Sequence, residues 1–421
     1  MTGSCCSLSF KSKRHEKYFF LILFLFLLSC QNSSKDKHNE YSIIDLTEVE
    51  YSESPQLLSD FVESIEYIKL SEDPLVTDAR IINLFEDKKG NFYLDVPGGL
   101  FKYAPDGSFI KSLIRIGQGP NEINHKSNAI FSLEQEFILI DDNGKSYYQK
   151  ISLDGDFLDR ISSSIIVNGK YLGRRNIYDY WKNFELYKWS NRCGLPNQGE
   201  YINRDSLYFF HIKDLNTDSD IYKMKNHHFH IKGKIDGNWY MNYSYPTYRG
   251  ELNDSTYWVK PLFVDTVYCT SDWTDVRPLY VIKKSSSASD YEWEIKLFAG
   301  DRNVSRSELM NKDRLIDVLA LENGILFTYF VESGKLGAGF CPANGKAETF
   351  SKLFKNDVDE FCPPLNMERR IANRNFFQKE GYIYTLVNAF EFFEEGAKPP
   401  FPDLTEDSNP VIVKLKLKKN G

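Results

Sequence analysis

Two segments of the sequence repeat the same strand–turn–strand pattern 48 residues apart. In the first copy, the turn Asp106-Gly107 lies between the β-rich runs Leu100–Tyr103 and Phe109–Lys111. In the second copy, Asp154-Gly155 follows Tyr147–Ile151 in the same way. Asp-Gly favours a tight hairpin because glycine accepts a positive φ. A repeated antiparallel hairpin unit predicts an all-β architecture built from similar sheets.

Weaker copies of the pattern continue to the end of the chain, at Gly237–Tyr240, Asp265–Tyr268, Gly324–Phe327 and Gly381–Tyr384. Four-stranded sheets that recur every 40–50 residues or so are typical of propeller blades. About 380 folded residues divide into roughly six such units. The sequence therefore predicts a six-bladed β-propeller.

Helix signals are scarce. The best candidate begins at Ser305, with Glu308 three residues later as a capping box. Leu309, Ile316 and Leu319 would share one face of that helix. We expect it to decorate the edge of a blade.

The N-terminus is typical of an export signal. A basic stretch from Lys11 to Lys17 precedes the apolar run Tyr18–Leu28, which is about half of the roughly 20 residues that a membrane-spanning helix needs. The following Leu27–Cys30 resembles a bacterial lipobox, in which the cysteine carries lipid. We predict a lipoprotein signal peptide at 1–29, a flexible polar tether at 30–42 and the propeller at 43–421. An ordinary signal peptide and a transmembrane anchor are the alternatives.

Charge restricts the partners. Loss of residues 1–29 removes four basic side chains and one acidic side chain, which moves the net charge from -7 to -10. A body this acidic repels nucleic acid, so we exclude that partner class. Gln31 follows the cysteine where an acidic inner-membrane retention signal would stand, which favours the outer membrane. Lys35-Asp36 is similar to surface-export signals, and periplasmic and surface-facing orientations both stay open.

The cysteines give no metal signature. Cys193, Cys269, Cys341 and Cys362 remain in the body, widely spaced and without a Cys-x-x-Cys pair. They allow one or two disulfides in an oxidising compartment, although a body of this length does not need them. The spacing does not fit zinc, and we predict no cofactor.

Three polar patterns have both a functional and a structural interpretation. Asp214, Asn216, Asp218 and Asp220 alternate like the start of a calcium loop, but Ser219 replaces the required glycine, which favours a surface turn. His228 and His230, next to His227, would share one face of a strand as metal ligands or as ordinary strand residues. His211 is interpreted as a strand position rather than a general base.

The glycine-rich segment Gly117-Gln118-Gly119-Pro120 suggests a phosphate-binding loop. It lacks the Lys-Ser/Thr that would follow and the helix that such a loop needs. We therefore expect its glycines and Pro120 to turn the chain between two blades, with a backbone-lined rim around a ligand as the alternative.

The segment Tyr178–Trp189 combines aromatic rings with charges and follows Arg174 and Arg175. Aromatic platforms with polar neighbours suit sugar or peptide recognition. Aromatic residues also favour strands in general, so blade packing is the competing interpretation. The candidate binding residues are Tyr178, Tyr180, Trp181, Tyr187 and Trp189.

Several segments resemble the six-bladed, NHL-like propeller lipoproteins of Bacteroidetes, a family without a defined reaction. Ser59–Leu70 is similar to the family's opening strand, and Asn409–Val413 to its closing strand. Ile116–Glu122 resembles its Gly-x-Gly-Pro-x-Glu loop, represented here by Gly117, Gly119, Pro120 and Glu122, with Asn121 where the family has glycine. The resemblance implies that a strand near Tyr67-Ile68 completes the blade that ends in Val411–Leu417.

No Gly-x-Ser-x-Gly, His-Glu-x-x-His or dinucleotide motif is present. Our first hypothesis is therefore a lipid-anchored outer-membrane propeller that acts as a binding module for a glycan, a peptide or an envelope protein. The alternative is a propeller hydrolase or lyase that acts on a saccharide or lactone at the central channel. A purely structural envelope role is the third possibility. Convergence of charged or His side chains with shifted pKa values at the channel would favour the enzyme.

Overall fold

The computed structural model describes residues 41–76, 83–97, 99–119, 122–124, 126–142, 145–167, 170–190, 208–225, 247–262, 264–285, 312–361, 363–367, 376–393 and 398–419. These residues form an all-β unit with short 3-10 turns at Leu58–Asp60 and Ala389–Phe393. The described part of the chain contains no helix with the length and apolar character that a membrane-spanning helix needs. The predicted signal peptide, Cys30 and most of the tether lie outside the described residues.

The strands follow one another along the chain in blade-sized groups. The N-terminal segment forms β1 (Ser42–Leu46), β2 (Glu50–Tyr51), β3 (Gln56–Leu57) and β4 (Val62–Lys69). Blade 1 contains β5 (Asn83–Glu86), β6 (Phe92–Val96), β7 (Gly99–Tyr103) and β8 (Phe109–Ser112). Blade 2 contains β9 (Lys126–Ser132), β10 (Phe137–Asp142), β11 (Tyr147–Ser152) and β12 (Phe157–Ser162). Blade 3 contains β13 (Ser164–Val167), β14 (Lys170–Trp181), β15 (Phe184–Ser190), β16 (Tyr208–Asp214) and β17 (Ser219–Lys225).

The second half of the chain begins with blade 4, which contains β18 (Thr247–Asn253), β19 (Thr256–Pro261), β20 (Thr266–Thr270) and β21 (Arg277–Lys284). A three-stranded sheet follows, with β22 (Arg314–Leu321), β23 (Gly324–Phe330) and β24 (Leu336–Pro342). The short strands after it are β25 (Gly345–Lys346), β26 (Thr349–Phe350) and β27 (Phe354–Lys355). Blade 5 contains β28 (Phe377–Lys379), β29 (Tyr382–Val387) and β30 (Val411–Leu417), completed by β4.

The prediction of six blades is wrong. In the described residues, five sheets have four or more strands, so the propeller has five blades, while β22–β24 stop at three strands. Among the described residues after β24, the chain pairs with that strand through one isolated antiparallel bridge, between Ala338 and Ser351. Its short strands β25, β26 and β27 instead pair in parallel with β1, β2 and β3. The segment that would supply a fourth strand therefore hydrogen-bonds to the N-terminal segment.

Buried apolar clusters join each sheet to the next. Tyr93 of blade 1 packs with Ile138 of blade 2, and Phe137 of blade 2 packs with Tyr180 of blade 3. The remaining clusters join blade 3 to blade 4, blade 4 to β22–β24, β22–β24 to blade 5, and blade 5 back to blade 1. Because the sequence of clusters returns to its start, each sheet buries both faces against neighbours, as propeller blades do.

The two strongest copies in the sequence fold as predicted. Asp106-Gly107 connects β7 to β8, and Asp154-Gly155 connects β11 to β12. Gly107 and Gly155 have φ values of 84° and 83°, in the left-handed region that glycine tolerates. The predicted helix is wrong where the structure describes it, since Ile316 and Leu319 lie in β22. Its start at Ser305 lies outside the described residues.

Candidate functional site

The innermost strands of the sheets approach one another at the centre of the ring. Gln378 Nε2 of β28 donates to the carbonyl oxygen of Leu252 in β18 over 3.4 Å. Tyr248 Oη of β18 donates to the carbonyl oxygen of Ile316 in β22 over 2.8 Å. Lys379 Nζ of β28 lies 3.2 Å from Glu86 Oε2 of β5. These contacts connect four separate sheets around one axis.

The turns that follow the innermost strands lie at one end of this axis, which we call the turn face. Its turns are Asp87–Gly90, Leu133–Glu136, Lys182-Asn183, Asp254-Ser255, Glu322-Asn323 and Glu380-Gly381. Neighbouring turns contact each other through polar side chains. Lys88 Nζ lies 2.7 Å from Glu134 Oε2, Gln135 Nε2 donates to Asn183 Oδ1 over 3.1 Å, and Asn253 Nδ2 donates to Glu322 Oε1 over 2.6 Å.

Polar side chains from blades 3, 4 and 5 meet below the turn face. We call this group the axial cluster and define it as Asp179, Arg249, Glu251, Tyr257, Gln378 and Lys379. The strands that carry these residues are β14, β18, β19 and β28. The cluster is thus assembled from four strands of three sheets, whose residues are distant in sequence and meet only in the folded propeller.

Asp179 is the best-bonded member of the cluster. Its Oδ2 accepts a hydrogen bond from Tyr257 Oη over 2.5 Å and lies 3.3 Å from Arg249 Nε. Its Oδ1 accepts from the backbone N–H of Tyr180 over 2.9 Å. Burial, followed by the neighbouring Asp179 carboxylate, raises the pKa of Tyr257 well above its usual value. Asp179 is therefore held as a hydrogen-bonded, charge-paired carboxylate.

Glu251 has a different environment from Asp179, although the two carboxyl groups are neighbours. Burial, followed by the carboxylates of Asp179, Asp254 and Glu134, raises the pKa of Glu251 to about 7, against a smaller opposing effect of Lys379. The site thus combines a hydrogen-bonded aspartate with a glutamic acid whose pKa is raised to about 7. Two carboxyl groups in unlike environments can perform acid–base chemistry, and they can also bind donor-rich ligands.

Gln378 contributes an acceptor to the same region. The residue is 6% exposed, and its Oε1 has no hydrogen-bond partner among the described residues. Because its Nε2 donates to Leu252, the carboxamide lies beside the residue that follows Glu251. A buried acceptor without a donor is unusual in folded proteins.

Most of the predicted aromatic site is core. Tyr180, Trp181 and Tyr187 are 7%, 5% and 3% exposed. Tyr180 and Tyr187 pack against blade 2, and Trp181 packs against Tyr257 and Trp273 of blade 4. Tyr178 is half-buried with Arg249 over its ring, and the Trp189 side chain lies outside the described residues. The three buried rings offer no open platform, and among the rings whose side chains the structure describes Tyr178 remains a candidate contact.

The glycine-rich loop between β8 and β9 closes on its own glutamate. Glu122 Oε2 accepts a hydrogen bond from the Gly119 N–H over 2.8 Å. A Cβ at Gly117 would lie 2.0 Å from that oxygen, so only glycine leaves room for the carboxylate. A groove of about 540 Å³ separates Gly119 and Glu122 from the Asp154-Gly155 turn. Pro120 and Asn121 lie outside the described residues.

The other polar candidates have structural partners. Asp214–Asp218 form the turn between β16 and β17, where Asp218 pairs with Lys213. Asp220 accepts a hydrogen bond from Tyr187 Oη over 2.7 Å and lies 3.6 Å from Nδ1 of the fully buried His211. In the described ranges no three His, Cys, Asp or Glu side chains could hold a metal ion. His227, His228 and His230 fall outside those ranges.

Cys269 and Cys341 are buried, free thiols. The pairing of Cys193 and Cys362 concerns residues that the structure does not describe. The two disulfides that the sequence allows therefore do not include a bond between Cys269 and Cys341.

Sequence reasoning did not find the axial cluster. Asp179 lies inside the aromatic segment, but Glu251, Arg249 and Gln378 belong to short strands without a recognisable motif. The available signal was the pair Arg249 and Glu251, two charged residues on one side of a strand that starts a blade.

Comparison with solved structures supports the propeller arrangement. The chain is similar to a protein from Bacteroides fragilis NCTC 9343 that is named as an exported protein, with a TM-score of 0.54 and 13% identity over 90% of this chain and 100% of that chain. A member of the DUF4221 family from Bacteroides vulgatus ATCC 8482 is aligned over 86% of this chain and 100% of its own, with a TM-score of 0.41 and 13% identity. No family model and no curated protein matches the sequence.

Proposed function

We propose that the protein is a lipid-anchored binding module of the bacterial outer membrane, facing the periplasm or the cell surface, which receives its partner at the turn face. The partner is a glycan, a peptide or another envelope protein. The exported Bacteroides fragilis protein with the same fold is consistent with this location. The predicted lipidation of Cys30 would attach the propeller to the membrane through its N-terminus.

One observation carries the proposed binding site. Charged and polar side chains from three sheets meet at the axial cluster, directly below turns that contact one another around the ring. At the turn face, a groove of about 530 Å³ opens between Asp254, Glu322, Glu380 and Lys418. Concave sites where several elements converge with a few polar groups are the usual ligand sites of folded domains.

Site-specific photo-crosslinking in intact cells tests the location of the partner. A photoreactive amino acid at Asp254 would lie on the turn face, and one at Ser333 would lie in the turn at the opposite end of β23. Both positions are exposed. We expect a crosslinked adduct of fixed mass from position 254 and none from position 333. Equal crosslinking from both positions, or from 333 alone, would contradict the proposed site.

The raised pKa of Glu251 favours a second candidate, a hydrolase or lyase that acts on a saccharide or lactone. In this function Glu251 is the general acid, and Asp179 stabilises positive charge or acts as the base. Turnover of a substrate library would then fall by at least about 100-fold in Glu251→Gln, while binding persists. Binding without turnover in the wild-type protein would leave the binding module as the function.

A further inference from the structure

We propose that the axial cluster binds a primary ammonium group, carried by an amino sugar or by the lysine side chain of a peptide. This inference rests on the proposed function, since it specifies the chemistry of the ligand at the same site. It follows from the charges that remain after the internal ion pairs of the cluster are formed, and from the buried acceptor on Gln378.

The ion pairs inside the axial cluster do not neutralise all of its carboxylates. Arg249 is paired with Asp179, and Lys379 is paired with Glu86. Among the described residues, neither Glu251 nor Asp254 forms an ion pair. The carboxylates of Asp179, Asp254 and Glu134 instead raise the pKa of Glu251, and Lys379 opposes them. A cation placed beside Glu251 would relieve this repulsion.

The acceptors of the cluster match an ammonium group. An ammonium has three N–H donors and no acceptor. Gln378 supplies a buried oxygen that has no donor among the described residues, and Glu251 supplies a carboxylate. Because the carboxamide nitrogen of Gln378 is already bonded to Leu252, its oxygen is the atom that still lacks a donor among the described residues. These are two independent features that each require a donor.

An organic cation fits this set better than a metal ion. The described residues contain no group of three metal-ligating side chains, and an amide oxygen with one carboxylate is a sparse ligand set for a hard divalent ion. A charged amine needs fewer ligands and carries its own three directional donors. The half-buried Tyr178 ring lies next to Arg249 and provides an apolar wall for the carbon atoms of the ligand.

Binding of such a cation must displace a proton from Glu251 at neutral pH. Because the pKa of Glu251 is about 7, roughly one tenth of its carboxyl groups are ionised at pH 6 and about nine tenths at pH 8. The affinity for a lysine side chain, which stays charged throughout this range, should therefore rise about tenfold between these two pH values. Asp179, Asp254, Glu134, Lys379 and Arg249 are the charged groups that surround Glu251.

Titration calorimetry of the folded protein with four probes tests the proposal. The probes are a glucosamine trimer, an N-acetylglucosamine trimer, Nα-acetyl-lysine amide and its Nζ-acetylated form. We expect an ammonium probe to bind at least about tenfold more tightly than its acetylated partner, and Glu251→Gln to abolish that difference. Glu406→Gln, an exposed acidic position away from the axis, serves as the matched control and should bind like the wild type.

The two pairs of probes distinguish an amino sugar from a lysine side chain as the carrier of the ammonium group. The glucosamine arm identifies an amino sugar, and the lysine arm identifies a peptide. The inference would be overturned if charged and acetylated probes bound with equal affinity, or if neither charged probe bound. It would also be overturned if Glu251→Gln kept the wild-type preference for the charged probes. The proposed function stands or falls separately on crosslinking at position 254. Proton release on binding, measured in two buffers, should disappear in Glu251→Gln.

Discussion

Ile68 of β4 lies opposite Ile412 of β30, so a strand from the start of the described chain completes the blade formed by its end. The pairing extends antiparallel from Lys69 and Val411 to Val62 and Leu417. The resemblance to the propeller family implied this closure, and the structure confirms it. Closure pairs two strand edges that would otherwise be open to other chains.

Removal of β30 should unfold the whole domain. A chain that ends at Asp407 loses Val411, Ile412, Val413 and Leu415, which are all fully buried. At about 1.5–3 kcal/mol for each side chain, the loss is comparable to the entire stability of a typical domain. Near-UV circular dichroism and thermal melting measure the result, with a chain that ends at Lys419 as control. A soluble truncate with cooperative melting would show that closure is dispensable.

Gly107→Ala should be far more destabilising than Gly334→Ala. Both glycines have a positive φ, 84° and 82°, so both variants lose about 1 kcal/mol from backbone strain. A Cβ at position 107 would also lie 2.1 Å from the carbonyl oxygen of Lys69, whereas nothing lies within 4 Å of one at position 334. We expect a total loss above about 3 kcal/mol for Gly107→Ala in urea denaturation. Similar losses in the two variants would exclude close packing of this turn against blade 5.

Glu251→Gln should stabilise the protein in mildly alkaline solution. The pKa of Glu251 rises to about 7 from its ordinary value of 4.5, so the folded state binds the proton more tightly than the unfolded state. Its contribution is present below pH 4.5 and is lost as the pH rises to about 7. The upper limit of that loss is about 3 kcal/mol. Denaturation from pH 4 to 8 should show the variant gaining on the wild type, and parallel curves would contradict the assignment.

Lys188→Met should stabilise the protein at neutral pH. Lys188 is 4% exposed, and burial lowers its pKa to about 8 from 10.5. The folded state therefore binds its proton less tightly, and the wild-type stability rises as the pH increases from about 8 to 10.5. At pH 7 the variant should gain up to about 3 kcal/mol, and the gain should shrink toward pH 10.5. Lys145→Met at an exposed position is the control. A gain that does not change with pH would contradict the effect of burial.

Cys30→Ala should abolish lipid attachment. In the predicted lipobox, Cys30 is the acylated residue, and without it the precursor should accumulate uncleaved. Labelling cells with an alkyne fatty acid and comparing the band sizes of wild type and variant measures both effects, with Cys269→Ala as the control. A variant that still labels and matures would make the segment an ordinary signal peptide.

The sequence was informative wherever one residue type dictates local geometry. Asp-Gly at positions 106–107 and 154–155 predicted both hairpins, because a positive φ at the second turn residue favours glycine in any context. Alternating and continuous apolar runs predicted β6, β7, β10 and β11, because such runs are also read from neighbouring residues alone. Local patterns could not predict the blade number, because the strands that would have completed β22–β24 have a β-rich sequence and pair elsewhere.

The local sequence of this protein determines its all-β class and its hairpins, and the family resemblance identified the strand that closes the ring. The tertiary structure alone decides that 345–355 pairs with the N-terminal segment, that Tyr180, Trp181 and Tyr187 are core, and that Glu251 meets Asp179. The physical reason is that hydrogen-bond partners, burial and the pKa of a carboxyl group depend on residues that are distant in sequence. A propeller brings such residues together at its axis, where no run of neighbouring residues reveals them.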